Sequence, residues 1–203
     1  MSIVGNAYGV VLNDGHEILA LADRFAEKPY GTPPAAPVVY LKPRQSFLPG
    51  GGTVHIPRGA VAAAPTIILL FAADSHWGGW DAVGAAALAL DVSLPKPDYY
   101  RPAVAQRSGE GMLPFGTFGA PHLPAEIVTF IDGAEAHRWA LSRLVRDARA
   151  LIAELSAFMT FMPGDALLVG LPGDAPRVQA GQSVTVKADG FADLTVNFTG
   201  ESQ

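Results

Sequence analysis

Glycine and proline punctuate this chain throughout: 22 glycines and 17 prolines are scattered over 203 residues. Stretches long enough for a helix are scarce, so the spacing predicts many short elements joined by turns rather than a helical bundle. Tyr8 to Leu12 reads as an opening strand, and Val38-Val39-Tyr40-Leu41, set between Pro33-Pro34 and Lys42-Pro43, as a second. The most apolar stretch, 60–73, is broken by Pro65 and falls short of the roughly 20 residues that span a bilayer. Its centre, Thr66-Ile67-Ile68-Leu69-Leu70-Phe71, is rich in β-branched and aromatic residues and predicts a fully buried strand. Gly50-Gly51-Gly52 leads into strand-like Thr53-Val54-His55-Ile56-Pro57, which predicts a turn and not a phosphate cradle before a helix.

One helix stands out. Leu144, Val145, Ala148, Leu151, Ile152, Leu155 and Phe158 recur at spacings of three and four. That stripe predicts a helix over 142–159, with Ser142 as N-cap and Pro163-Gly164-Asp165 as its stop. The alanine-rich segment 80–90 predicts a second helix. The last third alternates, with strands expected at 166–169, 183–186 and 194–198 and Asp189-Gly190 as a hairpin turn. Without an internal repeat or a low-complexity linker, the pattern predicts one domain over 1–203, mixed α/β and β-rich, with a few helices on its sheets.

Composition excludes several classes of function. Lys and Arg number 14 against 19 Asp and Glu, evenly spread, which argues against nucleic acid or an anionic membrane as partner. At 49% hydrophobic the chain is too apolar to be disordered. Without cysteine it has no disulfide, thiolate nucleophile or Cys-ligated metal. The first residues lack the basic start and apolar run of a secretory signal, so a soluble, cytoplasmic protein is expected.

No nucleophile elbow, phosphate loop, dinucleotide fingerprint or His-Glu-x-x-His pair is present. His16, His55, His76, His122 and His137 are too far apart for a local metal spacing. His76-Trp77 with Trp80 suits either ligand stacking or ordinary packing. Lys42, between a strand and a proline, suits an anionic ligand and equally a solvated strand end. Tyr99-Tyr100-Arg101-Pro102 joins phenols to a guanidinium shaped for carboxylates.

Several segments, in order, resemble the fumarylacetoacetate hydrolase superfamily. Pro37-Val38-Val39-Tyr40-Leu41-Lys42-Pro43-Arg44 is similar to the family strand that ends in Lys-Pro. Ala89-Leu90-Asp91-Val92-Ser93-Leu94-Pro95 resembles its metal-ligand segment, and Met112-Leu113-Pro114-Phe115-Gly116 its Phe-Cys-Pro-x-Gly loop. The run from Leu155 to Asp165 matches the end of the family's helix and the turn after it. Lys28-Pro29-Tyr30, Pro33-Pro34 and Tyr99-Tyr100-Arg101-Pro102-Ala103 narrow the resemblance to the isomerase/decarboxylases of homoprotocatechuate (4-hydroxyphenylacetate) breakdown, specifically to the N-terminal of their two tandem domains.

The resemblance implies the family's C-terminal-domain-like β-sandwich or roll with a few flanking helices. It also implies Mg²⁺-dependent decarboxylation of 5-oxopent-3-ene-1,2,5-tricarboxylate and isomerisation of 2-hydroxyhepta-2,4-diene-1,7-dioate. Mg²⁺ takes hard oxygen ligands, which the family supplies as a Glu-x-Glu pair and a distant Asp. Here Ala64-Pro65-Thr66 stands for the pair, leaving Asp91 as a vestigial metal residue or a structural hydrogen-bonding one. His16, one position early, and Glu17 are the implied proton-moving pair. Lys42, Arg101 and Arg107 are the implied substrate-binding cations, with Glu110 following Arg107 in place of the family's Asp. Gly170-Leu171-Pro172 lacks the hydroxyl of the family's Gly-Thr-Pro turn.

These departures imply a chain that keeps the fold without binding Mg²⁺ alone. Three functions then compete: a catalytic subunit for a 2-oxo polycarboxylate that depends on a metal-bearing paralogous subunit, a non-catalytic partner of that subunit, and a metal-independent hydrolase or lyase on another 2-oxo acid. A homodimer or a heteromer is expected, because a chain this apolar leaves a face to cover.

Overall fold

A computed structural model of the chain describes residues 2–57, 59–95 and 103–200. Strand β1 (Ala7–Val11) is followed by short helices α1 (Gly15–Ala20) and α2 (Ala22–Ala26), then by β2 (Val38–Lys42), β3 (Phe47–Pro49) and β4 (Gly52–Ile56). Two long strands, β5 (Val61–Phe71) and β6 (Val83–Ser93), are separated by α3 (Ser75–Gly78). After them come α4 (Val104–Arg107), β7 (Leu113–Phe115), β8 (Glu126–Ile131) and β9 (Ala134–Ala140). The chain ends on α5 (Ala148–Ser156), β10 (Ala166–Leu168), β11 (Arg177–Val178), β12 (Ser183–Lys187) and β13 (Leu194–Gly200).

The strands form two sheets. One runs β2-β1-β10-β5-β6-β7-β3, with β11 also pairing with β5; the other runs β4-β13-β12-β8-β9. Asp189-Gly190 lies between β12 and β13, which pair antiparallel as a hairpin turn requires. The first sheet must curl. Neighbouring strands sit about 4.8 Å apart, yet Tyr40 on β2 reaches Asp91 on β6 across the positions of β1, β10 and β5. The inside of this roll has room mainly for small side chains. Ala7, Ala85, Ala87, Ala89 and Ala166 are buried there with Ile68, Leu70, Leu113 and Phe115. The outer face packs Ile67, Leu69, Phe71, Leu88 and Leu90 against the second sheet and α5.

Two expectations need correction. The alanine-rich segment 80–90 is a single turn of 3-10 helix over Gly79–Ala82 and then strand β6. Both faces of β6 are buried, so the polar positions that reveal a strand's two-residue period are missing. The predicted long helix starts at Ala148, where the Asp147 carboxylate accepts from the Ala150 N–H, and not at Ser142. Leu144 and Val145 precede it in an extended segment, and the Val145 N–H donates to the Asn13 carbonyl. Among the described residues no helix is long and apolar enough to cross a membrane.

Gly9 of β1 lies opposite Tyr40 of β2, and a Cβ there would penetrate the phenol ring. Gly9→Ala is therefore expected to push the ring off Asp91 and destabilise the fold by about 2 kcal/mol, as overpacked cores do. Urea denaturation of the variant measures this.

Candidate active site

One end of the roll opens into a cavity of about 480 Å³. Its apolar walls include Val11 of β1, Ala62 and Ala64 of β5, Phe25 of α2 and Leu171. His16 and Glu17 reach it from α1, Arg24 from α2, Arg107 from α4 and Arg177 from β11. Residues 171–175 and Arg143 line it as well, with Tyr30, Ser93 and Gln106.

Beneath the cavity lies a buried ionic cluster. Asp91 is fully buried, directly across the β5–β6 ladder from Ala64. Arg107 Nη1 donates to Asp91 Oδ1 at 2.9 Å, the Tyr40 hydroxyl donates to Asp91 Oδ2, and Lys42 Nζ lies 3.4 Å from Oδ1. The Arg107 guanidinium also stacks 4.8 Å above the Tyr40 ring. Lys42 Nζ donates to the carbonyls of Val92 (3.0 Å), Arg107 (2.7 Å) and Met112 (2.9 Å), which accounts for its three protons. Burial pulls the Lys42 ammonium down to about 8, with Asp91 opposing the shift. Burial and then the Asp91 charge push the Tyr40 phenol well above its usual range.

A second ionic cluster straps the 171–175 loop to the rim. Buried Asp14 receives Arg143 Nε at 2.9 Å and the Gly173 N–H at 2.8 Å. Arg143 continues to Asp174 at 2.8 and 3.1 Å, and His137 Nε2 reaches the same carboxylate at 3.1 Å. Hydrogen bonds from Arg143, then from His137, hold the Asp174 carboxyl down at about 2. Gly173 has no side chain because a Cβ there would meet Glu17.

The residues singled out in the sequence divide accordingly. His16, Glu17 and Arg107 meet at the cavity, and Arg101 lies outside the described residues. Lys42, expected to bind substrate, lies below the floor with its side chain fully enclosed, and does not line the cavity. Of the suggested stacking group, the Trp77 side chain falls outside the described residues. Trp80 packs against the main core and under the Arg149 guanidinium at 4.7 Å. Sequence reasoning missed Tyr40, Asp14, Arg143, Arg24 and Arg177. Tyr40 alone carried a signal, because two-residue alternation puts it on the same face as Lys42.

These residues do not suit a divalent cation. Mg²⁺ or Mn²⁺ needs several hard anionic oxygens. Both Asp91 oxygens already face the protein's own cations and phenol, and Ala64 opposite offers only a methyl group. The Thr66 hydroxyl is spent on the Gly170 carbonyl at 2.7 Å. Among the described residues no three His, Asp or Glu side chains converge as ligands.

Two outcomes follow from the buried cluster. Asp91→Asn removes the carboxylate that Lys42 and Arg107 share, so the fold is expected to lose about 3–5 kcal/mol in chemical denaturation. The second is a pH dependence. The unfolded chain keeps the Lys42 proton up to its ordinary value of 10.5 and the folded chain only to about 8, so stability rises with pH between them. Wild type is expected to gain about 2 kcal/mol over Lys42→Met between pH 8 and pH 9.5, measured by urea titration.

The family model for the fumarylacetoacetate (FAA) hydrolase C-terminal domain matches residues 6–199. The 4-hydroxyphenylacetate degradation bifunctional isomerase/decarboxylase of Escherichia coli is 33% identical over 197 residues, covering 94% of this chain and 46% of that protein. The chain thus spans about half the length of the first curated relatives it matches. A mitochondrial oxaloacetate tautomerase of Arabidopsis thaliana is 25% identical, with 79% of each chain covered. Among solved structures, fumarylpyruvate hydrolase from Pseudomonas aeruginosa, in complex with Mn²⁺ and pyruvate, superposes with a TM-score of 0.82 at 19% identity, over 98% of this chain and 91% of that one. The 2-hydroxyhepta-2,4-diene-1,7-dioate isomerase of Mycobacterium marinum gives 0.77 at 20% identity, over 100% and 77%. With nearly its whole length matched, this chain belongs to the fumarylacetoacetate hydrolase family.

Proposed function

We propose that the chain is a single fumarylacetoacetate-hydrolase-like domain serving as one half of an isomerase/decarboxylase in 4-hydroxyphenylacetate breakdown. The substrates are 5-oxopent-3-ene-1,2,5-tricarboxylate and 2-hydroxyhepta-2,4-diene-1,7-dioate, and a paralogous subunit bears the divalent cation. Support comes from the identity to the isomerase/decarboxylases over 94% of this chain, at under half of their length. The observation that carries the division of labour is the occupied state of Asp91. The family's third metal carboxylate is neutralised from within, and Ala64 and Thr66 stand for its glutamate pair.

In this reading Arg107 meets a substrate carboxylate at the cavity wall, held in place by Asp91 and by its own carbonyl on Lys42. His16 and Glu17, side by side at the start of α1, hold and move a proton between the 2-hydroxy-diene and 2-oxo-ene forms. Lys42 and Asp91 position Arg107 and do not touch substrate. A non-catalytic role as structural partner is favoured by a different observation. Phe158 and Met162 are exposed just after α5, and exposed Val4, ahead of β1, donates its N–H to Gly164 of the same turn, which offers apolar surface to a second subunit.

Co-expression with a paralogue that carries the intact Glu-x-Glu pair tests the reading. A heteromer is expected by light scattering, with decarboxylation above the sum of the separate chains. His16→Asn with Glu17→Gln is expected to lower the mixture's isomerase rate by about 10²-fold, the usual share of a general acid–base group. An unchanged rate assigns this chain the structural role alone.

A further inference from the structure

We propose that the cavity binds a dicarboxylate through arginine side chains and without a divalent cation, the positive charge on its wall being the protein's own. The inference rests on the polycarboxylate reading above and specifies how the ligand is held.

The chain carries a net charge of −5, yet among the described residues its cavity gathers Arg24, Arg107, Arg143 and Arg177 against Glu17 and Asp174. So local an excess of guanidinium in an acidic protein marks an anion site. Two of the four arginines also serve the structure: Arg107, while facing the cavity, neutralises Asp91, and Arg143 bridges Asp14 and Asp174. Arg24 and Arg177 differ. Both are exposed, they come from separate elements, and neither forms an ion pair among the described residues. Two such guanidiniums match two carboxylates, each able to take a bidentate pair of hydrogen bonds. The aliphatic side chains that share the lining, Val11, Ala64 and Leu171, suit the carbon chain of the ligand.

A cation would normally bring such a ligand to a carboxylate-bearing site. Here Lys42 and Arg107 engage Asp91 Oδ1 and the Tyr40 hydroxyl engages Oδ2, so a metal ion adds nothing to the cavity's hold on the ligand.

Isothermal titration of the full chain with 2-oxoadipate tests this, once in EDTA and once in MgCl₂, with 2-oxohexanoate and inorganic phosphate as controls. Equal affinity in EDTA and MgCl₂, and weaker binding of both controls, is the expected result. Arg24→Gln and Arg177→Gln are each expected to weaken 2-oxoadipate binding by about tenfold, the loss of one charge-assisted contact. Because both side chains are exposed, an unchanged melting temperature certifies that each variant is folded. Binding that needs Mg²⁺ overturns the inference and leaves the polycarboxylate reading standing. Tighter binding of phosphate, or full affinity in both variants, overturns it as well. Absence of dicarboxylate binding in either buffer removes both the inference and the ligand class on which it rests.

Discussion

Burying the carboxylate of Asp91 inside the curled sheet obliges the chain to bring positive charge to it, and much of the local architecture answers that demand. Lys42 arrives from β2, Arg107 from α4 and the Tyr40 hydroxyl from two residues before Lys42. The same ammonium then gathers the carbonyls of Val92, Arg107 and Met112, so one side chain ties the end of β2 to β6, to α4 and to the start of β7. A buried ion pair of this kind need not exceed the stability of an apolar replacement, but deleting either partner alone leaves a charge without compensation. The cluster therefore acts as a geometric constraint first. It sets where Arg107 stands, and with it one wall of the cavity.

The parts of the fold written into local patterns were readable from the sequence. β1, β2, the outer half of β5 and the C-terminal hairpin announce themselves by β-branched runs between turn residues. β6 did not, because alanine on both faces leaves no alternation and imitates a helix former. Its small side chains are dictated by the inside of the roll, a tertiary fact that no window of sequence contains. The start of α5 was misplaced for a related reason: Leu144 continues the apolar stripe but meets the core from an extended segment.

The candidate site was half legible. Resemblance picked out His16, Glu17, Arg107 and Asp91, residues sitting at or beneath one cavity. The partners that define their chemistry were hidden by sequence distance. Tyr40 and Asp91 are 51 positions apart, and Asp14 and Arg143 are 129 apart. Pairing of that range depends on how β-strands are ordered, so a lysine read as a ligand contact proved to be an internal tie.

The strap formed by Asp14, Arg143 and Asp174 bears on how the cavity meets its occupant. Because the 171–175 loop is already fastened to buried Asp14 through the Gly173 N–H and Arg143, the rim has few backbone conformations to surrender when a ligand enters. Rigidity installed before the encounter converts more of each contact into affinity, since ordering a loose loop would cost on the order of 1 kcal/mol for each residue fixed. A ligand of this cavity would thus be selected by shape and charge set in advance, and its residence would depend on breaking its own contacts rather than on unfastening a lid.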